Sequence, residues 1–128
     1  MRVPRPGQRT AWRRQDSASL SVVEFEALVQ RALAVRAEFA GFEVRNYGRE
    51  WTTEELTLGL MKDVGDLAAL VQASEGVRHA EDLGNAIGHE LSDCLWSVIV
   101  LADRLGVDLE AAFTRAMDDL RGHLRSPA

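Results

Sequence analysis

The stretch Thr52-Thr53-Glu54-Glu55-Leu56-Thr57-Leu58-Gly59-Leu60-Met61-Lys62-Asp63-Val64-Gly65-Asp66-Leu67-Ala68-Ala69-Leu70 decides the fold. It opens with Thr52 and, three residues on, Glu55, a pairing in which hydroxyl and carboxylate satisfy each other's backbone N–H at a helix start. Leu56, Leu60, Val64, Leu67 and Leu70 then recur at helical spacing, so they share one side of a helix. The pattern predicts a helix that ends near Gly76.

The same period continues on both sides. Upstream, Ser21 with Glu24 repeats the start signal, and Val22, Val23, Phe25, Leu28, Val29, Ala32, Leu33, Val35 and Phe39 predict a first helix over about 21–40. Gly41, Asn46, Tyr47 and Gly48 read as its connection to the next. Downstream, His79 to Asp82 open a third segment, in which Ile87, Leu91, Leu95, Val98 and Ala102 predict a long helix over about 81–105, closed by Gly106 as C-cap. Asp108 reads as the N-cap of a last helix bearing Leu109, Ala112, Phe113, Ala116, Met117 and Leu120. No stretch alternates as a strand would, and there are no repeats or low-complexity tracts. The expected fold class is all-α, a four-helix bundle over residues 18–125 in which all four stripes are buried. Several stripes are wide enough to imply a further interface between subunits.

With 128 residues, 46% of them hydrophobic, the chain suits one core and not two. The richest apolar run, Cys94 to Ala102, falls well short of the roughly 18 residues a membrane span needs. No secretory pattern precedes the first helix, and the single Cys94 has no partner within the chain for a disulfide, so the default location is cytoplasmic. The net charge of −5 is uneven. Arg2, Arg5, Arg9, Arg13 and Arg14 face only Asp16 in residues 1–17, which with Pro4, Pro6 and Gly7 read as a basic, disordered leader. The remaining body is acidic, a poor match for duplex nucleic acid and a better one for a divalent cation.

The chemistry concentrates in two pairs of carboxylates. Asp63 and Asp66 lie three apart on the second helix, and Glu90 and Asp93 three apart on the third, so each pair shares a face. Chance produces such pairs on solvated faces of an acidic chain. These, however, sit amid Met61, Val64 and Leu67 on one helix and Ile87, Leu91, Cys94 and Leu95 on the other, where an unpartnered charge is expensive. Magnesium takes oxygen ligands in octahedral geometry and keeps water or phosphate oxygens in its shell, so carboxylates from two facing helices suit it.

The segments Leu60-Met61-Lys62-Asp63-Val64-Gly65-Asp66-Leu67 and His89-Glu90-Leu91-Ser92-Asp93-Cys94-Leu95 resemble the two halves of the motif of the MazG-like nucleoside triphosphate pyrophosphohydrolases, Glu-x-x-Glu on one helix and Glu-x-x-Asp on the next. The resemblance extends over about residues 51–121, from Trp51 through Leu101-Ala102-Asp103-Arg104-Leu105-Gly106-Val107-Asp108-Leu109, similar to that family's turn into its last helix. It implies Mg2+ or Mn2+ held by Asp63, Asp66, Glu90 and Asp93, which are also the implied catalytic residues. It further implies hydrolysis of a nucleoside triphosphate to monophosphate and pyrophosphate, with nucleotide-pool sanitation as one setting for it, and a homodimer or homotetramer with sites near subunit interfaces.

The sequence departs from that pattern at the first pair, where aspartate stands in place of glutamate and shortens each reach by about 1.5 Å. Lys62, the only lysine beside fourteen arginines, stands where many members are acidic. It has two readings, a point charge for a substrate phosphate or a residue on the wet side about 100° around from Asp63. The family's last helix often turns basic or amide side chains toward the phosphates; here Met117, Asp118 and Asp119 stand in that stretch, and the resemblance leaves Arg115 and Arg121 as its candidates. Trp51 reads evenly as a base-stacking or a core aromatic, and Trp96 as core rather than base-stacking. His89 reads as a flank or as a support for its neighbours, His79 and His123 as surface residues, and Cys94 as a buried, inert thiol.

Two functional classes follow: a metal-dependent pyrophosphohydrolase, and a regulatory module that binds metal or nucleotide with little or no turnover. A di-iron carboxylate bundle needs Glu-x-x-His pairs, which neither Glu75 nor Glu90 begins. A purely structural helical partner would leave the four carboxylates apart on wet surfaces.

Overall fold

In the computed structural model of the chain, residues 24–75 and 83–126 are described. They form four helices, α1 (Phe25–Tyr47), α2 (Thr53–Glu75), α3 (Leu83–Arg104) and α4 (Leu109–Arg125), with no strand among the described residues. The all-α expectation holds. The leader over 1–17, the Ser21 start signal, Gly76 and the segment His79 to Asp82 lie outside the described residues.

α1 runs seven residues past its expected end. Gly41 costs only about 1 kcal/mol inside a helix, and Phe42, Glu43 and Val44 carry the helix on. It stops at Gly48, whose φ of 79° is the left-handed cap that a side chain would resist, and whose N–H returns to the Val44 carbonyl. The start of α2 is as the sequence predicts. The Glu55 N–H donates to Thr52 Oγ1 at 3.2 Å, and the Thr52 N–H donates to Glu55 Oε2 at 2.8 Å. Gly106 closes α3 at φ 67°, with the Val107 N–H donating to the Ala102 carbonyl at 2.8 Å. Asp108 caps α4, its Oδ1 accepting from the Ala111 N–H at 3.0 Å.

α2 packs along α3, and α1 lies against the C-terminal half of α3, where Trp96, Ile99 and Ala102 meet it. Leu56 of α2 shares a cavity wall with Trp96 and Ser97 of α3, while Asp63 and Asp66 meet Glu90 further along, so α2 and α3 run antiparallel. Among the described residues Leu56, Ile99 and Val100 are the buried apolar ones, and the Trp96 indole N–H donates to the Ala32 carbonyl at 3.0 Å to tie α3 to α1.

One expectation fails within the chain. The stripe of α4 is not covered: none of its residues is buried, and Phe113, Leu120 and Leu124 are exposed. α2 and α3 also carry apolar side chains to the surface, Met61, Val64 and Val71 on one and Leu91, Leu95 and Val98 on the other. Helical spacing puts Leu91, Leu95 and Val98 well around α3 from Trp96, which faces α1. On α2, Met61, Val64 and Val71 lie about 80–160° around from Asp63, which lines the cavity beneath α1, so α1 covers one face of the α2–α3 layer and exposed apolar side chains lie away from it. No helix is long and apolar enough to cross a membrane among the described residues.

Candidate metal and ligand site

The face of the α2–α3 layer that bears α1 also bears the carboxylates. Asp63, Asp66 and Glu90 bring one oxygen each within 4.8 Å of one another, and His89, Glu90 and Asp93 do the same with one ligand atom each. Glu90 belongs to both groups and joins the two helices. Oxygens around a six-coordinate Mg2+ at about 2.1 Å stand roughly 3 Å apart when adjacent and about 4.2 Å when opposite. A spread of up to 4.8 Å therefore needs small side-chain rotations or a bridging water, within reach of aspartate and glutamate torsions. Glu90 Oε2 is buried with no hydrogen-bond partner, the condition of an acceptor that a cation or water would satisfy. All-oxygen donors with one imidazole at the edge fit a hard divalent cation.

The electrostatics agree with a crowded acidic site. Burial pushes the Asp63 carboxyl above its ordinary range, and the nearby Asp93 charge adds to it, more than Lys62 takes away. Cys94 lies among the same groups, and burial with the charges of Asp63, Glu90 and Asp93 pushes its thiol up, which keeps it protonated and poorly nucleophilic.

Two i, i+4 contacts flank the groups. Lys62 Nζ donates to Asp66 Oδ2 at 2.8 Å, with side chains 75% and 46% exposed. Lys62 is thus on the wet side, and it also occupies one of the two Asp66 carboxylate oxygens. His89 Nε2 lies 3.2 Å from Asp93 Oδ2. The sequence reads His89 as a flank or a support without naming Asp93, although four-residue spacing on a helix is enough to bring them together.

Beside Asp63 opens an apolar cavity of about 220 Å³ between α1 and the α2–α3 layer, whose lining includes Phe39, Phe42, Tyr47, Trp51, Trp96 and Asp63. Phe39 and Trp96 have ring centroids 5.6 Å apart, and Phe42 and Tyr47 meet edge-on at 6.3 Å. Trp51 is a wall of this cavity, and Trp96, which the sequence reads as core, is half-buried beside it. Arg115 and Arg121 lie exposed on α4; among the described residues no ion pair joins either to the carboxylates, and neither lines the aromatic cavity.

The sequence reading missed Arg36 and Glu43, 8% and 5% exposed on α1. Arg36 Nη1 donates to Glu43 Oε1 at 2.9 Å, Nη2 donates to Oε2, and Oε2 also accepts the Trp51 N–H at 3.0 Å. Burial pushes the Glu43 carboxyl up, but the Arg36 and Trp51 hydrogen bonds and the charges of Arg36 and Arg104 outweigh it, so its affinity for a proton falls below the usual carboxylate range. The signal was their seven-residue spacing, two turns on one face, hidden by ending the helix before Gly41.

No family model, no curated protein and no solved structure matches this chain. The class that fold and site define is an all-α chain with a carboxylate-rich, two-helix candidate metal centre.

Proposed function

We propose that the protein is a metal-dependent nucleoside triphosphate pyrophosphohydrolase that releases nucleoside monophosphate and pyrophosphate, in the manner of the MazG-like enzymes its two motifs resemble. The observation that carries this reading is Asp63, which belongs both to the converging carboxylates and to the lining of the aromatic cavity. A flat base held between the rings would leave its phosphates beside the carboxylates. Asp63, Asp66, Glu90 and Asp93 would hold Mg2+ or Mn2+, which when bound offsets charge on phosphate oxygens and makes water a better nucleophile. Water adds to the phosphorus next to the sugar as the bond to the bridging oxygen breaks. The electron pair leaves with pyrophosphate, and the water proton passes to the carboxylates or solvent. Trp51 and the α1 aromatics bind and orient the base and keep water from that side.

The bare face of the α2–α3 layer fits a second copy of the chain. Six apolar side chains there, Met61, Val64, Val71, Leu91, Leu95 and Val98, are 38–66% exposed, and they form two parallel stripes that a twofold-related copy would cover to complete a four-helix core. A standard stable interface takes about 800 Å² from each partner.

A second reading, a regulatory module with little turnover, is favoured by the Lys62 ion pair on Asp66. Purified protein incubated with canonical and modified nucleoside triphosphates and Mg2+ or Mn2+ separates the two. Pyrophosphate release that disappears in Asp93→Asn supports the enzyme. No turnover, with calorimetric binding of metal or nucleotide intact, supports the module.

A further inference from the structure

Trp51 lies in the four-residue gap between Gly48, where α1 ends, and Thr53, where α2 begins. Its backbone N–H is taken by a side chain, Glu43 Oε2. That carboxylate is itself held at both oxygens by Arg36. All three residues, with Asp63, line the same cavity. A buried ion pair is a weak source of stability, since apolar residues of the same volume usually serve as well or better. The bond that an apolar pair would not supply is the one to Trp51. We propose that Glu43, held by Arg36, is a positioning residue that fixes Trp51 as the wall of the base-binding cavity. This rests on the nucleotide reading above.

The geometry fits the task. Glu43 sits one turn before the helix end, so its carboxylate stays with the rigid body of α1, while Trp51 belongs to the connection. The Arg36 fork fixes the carboxylate plane, because both amino groups of one guanidinium engage both oxygens. The connection is held on its other side by Arg49, whose two amino groups donate to Glu55 at 2.9 and 2.7 Å. Trp51 is therefore clamped between the end of α1 and the first turn of α2. Loss of the Glu43 acceptor frees one side of the clamp and leaves the helices in place.

Two double variants separate positioning from stability. Arg36→Met with Glu43→Leu removes the pair and the acceptor together. Arg36→Met with Glu43→Gln removes the charges but leaves a carbonyl to accept the Trp51 N–H. Each is measured for melting temperature, for the Trp51 amide resonance by 15N NMR, and for calorimetric binding of one purine and one pyrimidine α,β-methylene nucleoside triphosphate with Mn2+. The Met/Leu chain is expected to melt at or above the wild-type temperature, yet to bind roughly tenfold more weakly with a displaced Trp51 amide, from loss of one charge-assisted hydrogen bond. The Met/Gln chain is expected to recover most of the affinity and the amide position. Wild-type affinity in Met/Leu, or equal loss in Met/Gln, overturns the proposal. If the wild-type chain binds neither nucleotide, the nucleotide reading falls and the amide decides alone. Displacement in Met/Leu with recovery in Met/Gln then supports positioning, and an unmoved amide refutes it.

Discussion

Replacing Asp63 by asparagine should reverse the order of two melting temperatures. The Asp63 carboxyl is held above its ordinary range by burial first and by the Asp93 charge second. The folded chain thus holds that proton more tightly than the unfolded chain. The group favours folding while protonated, and this contribution is lost as pH rises through the raised value. Above that raised value the ionised Asp63 is a burden on the fold, and Asp63→Asn without metal should melt above wild type there. A bound cation changes the sign. At a hundredfold excess over its dissociation constant, a ligand of the native state adds about 2.7 kcal/mol. Each kcal/mol moves the midpoint of a 60–100-residue domain by roughly 4–8 °C, so the wild-type shift is on the order of 10–20 °C. The variant loses one of the three oxygens gathered within 4.8 Å at the junction of α2 and α3 and should lose most of that shift. Circular-dichroism melts at constant ionic strength, once with chelator and once with saturating Mn2+, read both orders. A variant that melts below wild type in chelator, or one that keeps the full Mn2+ shift, would refute the reasoning.

Lys62→Met should tighten Mn2+ binding severalfold by calorimetry, because it frees Asp66 Oδ2; the exposure of both side chains keeps the effect modest. Leu95→Arg places a charge in the middle of the bare α2–α3 face and should convert a dimer to monomer in sedimentation velocity while the helical spectrum is retained. Asp108→Ala removes the cap of α4 and should cost about 1 kcal/mol in urea unfolding. The lowered proton affinity of Glu43 means that its contribution to stability is present above the ordinary carboxylate range and fades as pH falls through that range and below it. The urea-midpoint gap between wild type and Glu43→Gln should therefore narrow between pH 7 and pH 3.

Where local chemistry closes on itself, the sequence was a sufficient guide. The Thr52 and Glu55 box, the Gly106 cap and the Asp108 cap are each complete within about four residues, and all three form as the spacing predicts. Gly41 misled because glycine marks a helix end only when the backbone turns left-handed there, and that turn waits until Gly48. The pairing of Asp63 and Asp66 with Glu90 was legible from two i, i+3 motifs on neighbouring helices. The contacts of Lys62 and His89 with the carboxylates depend on side-chain rotamers, to which periodicity is blind. The Glu43 bond to Trp51 spans two elements and a connection, and no local pattern encodes such a bond. The bare stripes of α2, α3 and α4 show the other gap: spacing reveals that a face is apolar, but not whether its cover comes from the same chain.

Lys62 supplies the sequence with its one side-chain amine. The hydrogen bond and charge of Asp66 hold its proton more firmly than usual, so at neutral pH it is a slow nucleophile toward acylating reagents. Anything that takes Asp66 away loosens that proton and quickens acylation. The chain therefore carries a built-in reporter at its acidic centre, one in which the labelling rate of a single residue tells whether Asp66 is held by lysine or by a cation.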